Sequence, residues 1–368
     1  NPQKTEHWQK LAAIIKQQSI EQIVHLWSAT TGSNGNYDIL NLELGLDKGV
    51  RSLLELIKAL AAEKYLPKTL NLRLITANSP EAYCSWGLLK TIALENPQLK
   101  IQAVEVDCND TPFLAEDYLL KNRRDKAARC GGSLRYSDCR AEGAEKRKKE
   151  VWVNLEGVGS KELISQLTLE LTTPIKQSEI SYKNGQRHQR VRKTLALDNI
   201  TTNKWQPVEN GVYLITGGIG GIGLEVAGWL AQQASVNLIL TARRSFPEPE
   251  KWSQWLETHP ENDSISIKIH QLQQIIDAGS KVNIEQVDVA DMSGMSRLFT
   301  KIYGEWGQVN GIFHAAGITE DGLLRSKYSQ TLNQVLQPKV MGTWLLNSLS
   351  EQQQQPPLMV LFSSVAAI

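Results

Sequence analysis

The residues that most constrain this chain lie at 212–233. The apolar run Val212–Thr216 is strand-length and ends in Gly217-Gly218-Ile219-Gly220-Gly221-Ile222-Gly223, after which Leu224–Gln233 carries a helical pattern. A glycine run alone is a weak signal, equally consistent with a turn that holds no ligand. Placed between a strand and a helix, it predicts the first βα turn of a dinucleotide-binding α/β fold. Gly218 is expected to permit the tight turn, Gly220 to let the backbone approach a pyrophosphate, and Gly223 to let the helix pack on the strand. The free N–H groups and partial positive charge of a helix N-terminus suit phosphate. Thr216, Gly217, Gly218, Ile219, Gly220, Gly221, Ile222 and Gly223 are therefore the candidate cofactor loop.

The residues that follow fit the same reading. A second strand, Val236–Leu240, ends in Thr241-Ala242-Arg243-Arg244. An acidic residue near this position would bind a ribose 2′-hydroxyl; two arginines suit a 2′-phosphate, which favours NADP(H) over NAD(H). A polar, partly helical stretch from Phe246 to about Lys281 leads to a strand at Ile284–Val289, whose Asp288-Val289 end is placed beside an adenine ring in related folds. The strand Gly311–His314 runs into Ala315-Ala316-Gly317, small residues that let the chain pass close to a cofactor. His314, at a strand end, is either catalytic or a packed structural histidine; the second reading is favoured. Tyr328–Ser350 reads as a long helix carrying Lys339, and the strand Met359–Phe362 delivers Ser363 and Ser364 at its C-terminal end. Ligand crevices of open α/β sheets lie outside such ends.

The first half has the rhythm without the grip. Helical patterns at residues 1–19, Asp47–Tyr65 and Glu81–Glu95 alternate with strands at Gln22–Trp27, Leu70–Thr76 and Ile101–Val106. This alternation predicts a parallel sheet. The loop after the first strand, residues 28–33, has no glycine fingerprint. Glu179–Val191 reads as a hairpin around Asn184-Gly185, the pair favoured in a type I′ turn. The fold class expected is α/β with two Rossmann-like parallel-sheet subdomains, the second incomplete. Their bounds are 1–198, a polar linker at 199–210, and 211–368.

Within the first subdomain, about 121–165 is a basic insertion without a sustained apolar period. It reads as a solvated, disordered segment in preference to a nucleic-acid or partner-binding arm, because no aromatic interleaving pattern or folded scaffold accompanies the charge. An out-of-frame stretch is a third reading. The formal net charge of +1 gives no reason to expect nucleic acid or an anionic membrane as partner, and no apolar run approaches a membrane span. Asn1-Pro2-Gln3-Lys4 has no signal-peptide pattern and no initiating Met, as at a cut end. Cys84, Cys108, Cys130 and Cys139 fit no metal-ligand spacing and read as free thiols of a reducing cytoplasm.

Thr216–Gly223 matches the TGxxxGxG loop of short-chain dehydrogenases/reductases. Together with His314–Gly317 (HAAG), Pro338–Gly342 (PKVMG) and Leu361–Ser364 (LFSS), the chain resembles the ketoreductase domains of modular polyketide synthases. Val24–Trp27 and Trp86–Pro97 are similar to those domains' structural subdomain. The resemblance implies NADPH-dependent reduction of a β-ketoacyl thioester, with an acyl carrier protein bearing the phosphopantetheine-bound chain and other domains of the same synthase as partners. By similarity, Ser364 hydrogen-bonds the substrate carbonyl and Lys339 is the active-site lysine. The family's proton-donating tyrosine would fall beyond Ile368, so residues 1–368 alone are expected to be inactive. In ketoreductases that give the D-alcohol (B-type), the loop after HAAG resembles LDD. Here Asp321 retains the diagnostic final acid, while Thr319 and Glu320 depart from the pattern. The alternatives are a non-catalytic structural ketoreductase-like domain, or a stand-alone short-chain reductase or epimerase. The last leaves the motif-free first half unexplained.

Overall fold

The computed structural model describes residues 4–27, 39–106, 161–191 and 205–364. The loop 28–33, most of the basic insertion, Cys108, Cys130, Cys139 and residues 199–204 lie outside them. Contacts divide the chain into two compact units, residues 1–194 with 322–327, and residues 195–321 with 328–368.

The first unit runs α1 (Thr5–Gln17), β1 (Gln22–His25), α2 (Ile39–Leu46), α3 (Ser52–Ala62), β2 (Asn71–Ala77), α4 (Pro80–Glu95), β3 (Lys100–Val106), α5 (Lys161–Thr172), β4 (Glu179–Lys183) and β5 (Gln186–Gln189). Its sheet has the order β1-β2-β3-β4-β5, parallel except for the β4–β5 hairpin. Asn184 and Gly185 at the hairpin tip have φ of 50° and 70°, as a type I′ turn requires. The expected helix at Asp47–Tyr65 starts earlier, because α2 joins α3 through a turn of π geometry at Asp47–Arg51. Leu42, Leu46 and Val50, four residues apart, carry the buried stripe of Leu53, Leu54 and Leu60 upstream. Residues 161–165, expected to close the insertion, open α5 instead.

A buried polar network ties this sheet to α5. Arg73, 2 % exposed, donates to Gln102 at 3.0 Å and to Gln22 at 2.7 Å. Glu170 accepts from Gln102 at 2.7 Å, from Tyr182 at 2.9 Å and from Arg187 at 2.8 Å. Burial, and then the hydrogen bond to the charged Glu170, push the Tyr182 hydroxyl up to about 12. Each charge here has a partner, the condition under which a buried ion is tolerated.

The second unit runs β6 (Val212–Thr216), α6 (Gly221–Gln233), β7 (Asn237–Ala242), α7 (Trp252–Thr258), α8 (Ser264–Asp277), β8 (Lys281–Gln286), α9 (Met292–Trp306), β9 (Gly311–His314), α10 (Ser329–Leu336), α11 (Gly342–Ser350) and β10 (Leu358–Leu361). A π turn at Gln337–Met341 joins α10 to α11. All strands are parallel, in the order β8-β7-β6-β9-β10. Successive residues of β6 serve opposite faces: Tyr213 and Ile215 pack with α6 and α8, while Val212 and Leu214 pack with α9 and α11. Asp263 and Asp291 cap α8 and α9 by accepting backbone N–H bonds.

One expectation is corrected. The strand placed at Ile284–Val289 lies at Lys281–Gln286, so Asp288 and Val289 sit in the turn beyond it, where Asp288 accepts from the Ala290 N–H at 2.9 Å. Residues 322–327 group with the first unit. No described helix is long and apolar enough to cross a membrane.

Candidate functional site

The strand order of the second unit reverses at β6: the chain builds outward through β7 and β8, then crosses to β9 and β10. Such a reversal opens a crevice at the C-terminal strand ends. The described strands of the first unit add one after another without such a reversal.

A cleft of about 580 Å³ occupies the predicted place in the second unit. Gly217, Ile219 and Gly220 form one wall, Arg243 and Arg244 stand at the end of β7, Asp288 and Val289 follow β8, and Ala315, Ala316 and Gly317 follow β9.

The glycines of the loop divide their work. The left-handed residue is Gly217, with φ of +67°, not Gly218. A Cβ at Gly217 would lie 2.9 Å from the Ala316 Cα. Gly218 and Gly223 do not line the cleft; they allow close packing behind it. A Cβ at Gly218 would sit 2.7 Å from the Leu240 Cβ, and one at Gly223 would sit 2.4 Å from the Gly217 carbonyl oxygen. Gly220 is the N-cap of α6 and faces the cleft, whereas Gly221 has open space around it and Ile222 is exposed. The result is a bare-backbone cradle at the start of a 13-residue helix, a fit for a dinucleotide pyrophosphate.

Thr216 is fully buried and turns away from the cleft. Its hydroxyl lies 2.6 Å from the His314 Nδ1, and the His314 Nε2 lies 2.9 Å from the Pro338 carbonyl oxygen. A carbonyl only accepts, so Nε2 carries the proton and Nδ1 accepts from Thr216. The Ala316 N–H in turn donates to the Thr216 hydroxyl oxygen at 3.3 Å. Burial lowers the His314 pKa, the Lys339 charge lowers it further, and the Pro338 bond opposes both. With both nitrogens engaged, His314 is a structural tie between β6, β9 and the turn that carries Lys339.

That turn brings Lys339 to the cleft wall: a Cβ at Gly317 would lie 3.3 Å from the Lys339 Cε. Leu361 of β10 is in register with His314 of β9. Ser364 and Gly317 therefore both follow three residues past that register, at the same end of neighbouring strands. Asp321 is exposed, next to Gly322, and does not line the cleft. Sequence reasoning passed over Phe246, Ser264 and Lys268, which line the cleft beside the arginines. Lys268 lies four residues after Ser264 on α8, and nothing local distinguishes it from any solvated helix lysine.

A family model described as "KR domain" matches residues 211–368, and one described as "Beta-ketoacyl synthase-like, N-terminal" matches residues 1–121. The chain is 26% identical over 302 residues to the polyketide synthase PksN of Bacillus subtilis, covering 81% of this chain and 4% of that protein. It is 33% identical over 163 residues to a 6-methylsalicylic acid synthase of Arthrobotrys oligospora, covering 43% of this chain and 8% of that one. The chain thus spans a small fraction of these relatives' length. Among solved structures, an N-terminal ketoreductase from the macrolactin assembly line superposes with a TM-score of 0.68 at 24% identity, covering 100% of this chain and 61% of that one.

Proposed function

We propose, from the match of residues 211–368 to the KR domain family, that the chain is a ketoreductase region of a polyketide synthase and that the complete domain reduces, with NADPH, a β-ketoacyl thioester on an acyl carrier protein to the β-hydroxyacyl thioester. The observation that carries this reading is the cleft itself. It has a backbone cradle for a pyrophosphate, two arginines at one end, and Lys339 against the wall formed by Gly317.

NADPH, when bound, supplies the hydride. The chain's own residues do the rest. The Gly217–Gly220 backbone and the α6 N-terminus would hold the pyrophosphate, and Arg243, Arg244 and Lys268, which line the same cleft, would offer positive charge to the 2′-phosphate. Ser364 donates a hydrogen bond to the ketone oxygen, where negative charge develops during reduction. The Lys339 ammonium favours that charge and lowers the pKa of a neighbouring proton-donating hydroxyl. One hydride and one proton add across the carbonyl, leaving the secondary alcohol.

The motif-free first unit favours a synthase domain over a stand-alone reductase. The reading places the substrate on a phosphopantetheine arm, the other domains of the same synthase as neighbours, and the reaction in the cytoplasm. Asp321 supports the D-alcohol: a loop beside the cofactor residues selects which carbonyl face meets the hydride. Chiral chromatography of the product from the complete domain tests this, and predominantly L-alcohol overturns it.

A further inference from the structure

Two buried histidines end strands in this chain, His25 at β1 and His314 at β9, and each is tied to a turn of π geometry in its own unit. In the second unit that turn is Gln337–Met341. A π turn moves the helical bonds along by one residue, so one carbonyl loses its usual donor. The Gly342 N–H bonds to the Gln337 carbonyl, five residues back, and passes over the Pro338 carbonyl, four back. Pro338 is buried, and a buried carbonyl needs a partner. The His314 Nε2 supplies it at 2.9 Å. Lys339 is the next residue, with its Cε against the Gly317 wall of the cleft.

The first unit builds the same device from different residues. Its π turn is Asp47–Arg51, and the Ser52 N–H bonds to the Asp47 carbonyl, again five residues back. Lys48, second in this turn as Pro338 is second in the other, has its carbonyl held by the Ser52 hydroxyl. That hydroxyl lies 2.8 Å from the His25 Nε2. With its hydrogen on a carbonyl, the hydroxyl oxygen accepts, so Nε2 carries the proton in His25 as it does in His314. The third residue of the turn differs: Gly49 in the first unit, Lys339 in the second. The shared part holds a turn, and only the second turn places an ammonium at that position.

We infer that His314 is a positioning residue for Lys339: with its proton on Nε2 it holds the Pro338 carbonyl that the π turn releases, and so fixes the turn on which Lys339 stands. The role of Lys339 in reduction rests on the ketoreductase reading above; the hold on the turn does not.

The test compares the complete domain with its His314→Asn, His314→Gln and His25→Asn variants. The asparagine amide stands near the Nδ1 position, within reach of Thr216 and short of Pro338, whereas the glutamine amide reaches the Nε2 position and can donate to Pro338. The first readout is amide hydrogen exchange at residues 339–342, which needs neither cofactor nor activity. His314→Asn should speed it about tenfold, the loss of one buried hydrogen bond, and His314→Gln should restore most of the protection. The second readout is the pH dependence of kcat/KM for reduction. A well-placed ammonium lowers the pKa of the proton-donating hydroxyl, so its displacement raises that pKa. The alkaline limb, where the donor loses its proton, should move up by about one pH unit in His314→Asn. His25→Asn, the same change beside a turn that carries glycine, should leave the limb in place.

Unchanged exchange in His314→Asn, or equal loosening in His314→Gln, overturns the hold on the turn. Faster exchange with an unmoved limb, or a limb moved equally by His25→Asn, overturns the positioning of Lys339. A domain that reduces no β-ketoacyl thioester overturns the ketoreductase reading instead, and the exchange result still decides the hold on the turn.

Discussion

The Thr216 hydroxyl and the His314 Nδ1, 2.6 Å apart, join the C-terminal ends of two adjacent parallel strands. Thr216 leads into the glycine loop, and His314 leads into the small-residue wall opposite. The other His314 nitrogen reaches the Pro338 carbonyl, one residue before Lys339. The three elements that border the cleft are thus set by one buried chain of hydrogen bonds, each satisfied and each shielded from water.

The loop glycines separate a packing role from a neutral one. Gly223→Ala drives a methyl into the Gly217 carbonyl, a backbone atom that cannot move aside. NADPH binding by the complete domain should be lost or weakened at least about tenfold, since overpacking here costs about 1–3 kcal/mol. Gly221→Ala meets open space and should bind as wild type, with stability unchanged or raised by up to about 1 kcal/mol. Calorimetric titration and thermal unfolding check both; equal effects of the two substitutions would contradict the packing account.

Arg243 and Arg244 should make NADPH bind more tightly than NADH. Both side chains are exposed, so solvent moderates each contact. Arg243→Ala should narrow the NADPH-to-NADH preference by about 1–2 kcal/mol, or about 5- to 30-fold. Dissociation constants measured side by side for the two cofactors check it, and no preference in the wild type would contradict the arginine assignment.

His25 makes the first unit acid-sensitive. Burial pushes its pKa down to about 4 from an ordinary 6.5, against a weaker upward pull from a backbone hydrogen bond. Between those values the unfolded chain binds the proton and the folded chain does not, so stability rises with pH across that window. The contribution is fully present above about pH 6.5 and is lost as pH falls toward 4, amounting to about 3 kcal/mol. His314, shifted the same way, adds to the trend in the second unit. Urea unfolding of the complete domain at pH 7 and pH 4.5 should show a smaller loss for His25→Asn than for wild type; equal losses would contradict it.

Most of the site's frame was legible because its signals are local. An apolar strand, a glycine run and a helix are contiguous between Val212 and Gln233, and Gly311–His314 ends where the small residues begin. The bounds of β8 differ from the expected strand because Val287 and Val289 offer apolar residues past Gln286, while Val282, half-buried against the core, precedes the expected start. Non-local relationships left no trace in the pattern. Arg73 and Glu170, far apart in sequence, meet through Gln102 inside the sheet. Glu95 accepts from the Leu324 N–H across 229 residues of sequence.

The most direct test of the central claim is turnover by the complete domain supplied with NADPH and a β-ketoacyl thioester of an acyl carrier protein. NADPH oxidation should match the β-hydroxyacyl thioester formed, and Ser364→Ala, which removes the hydroxyl that steadies charge on the ketone oxygen, should lower kcat/KM by about 10²-fold. No NADPH oxidation above a control without enzyme, or a Ser364→Ala variant as fast as wild type, would contradict the account.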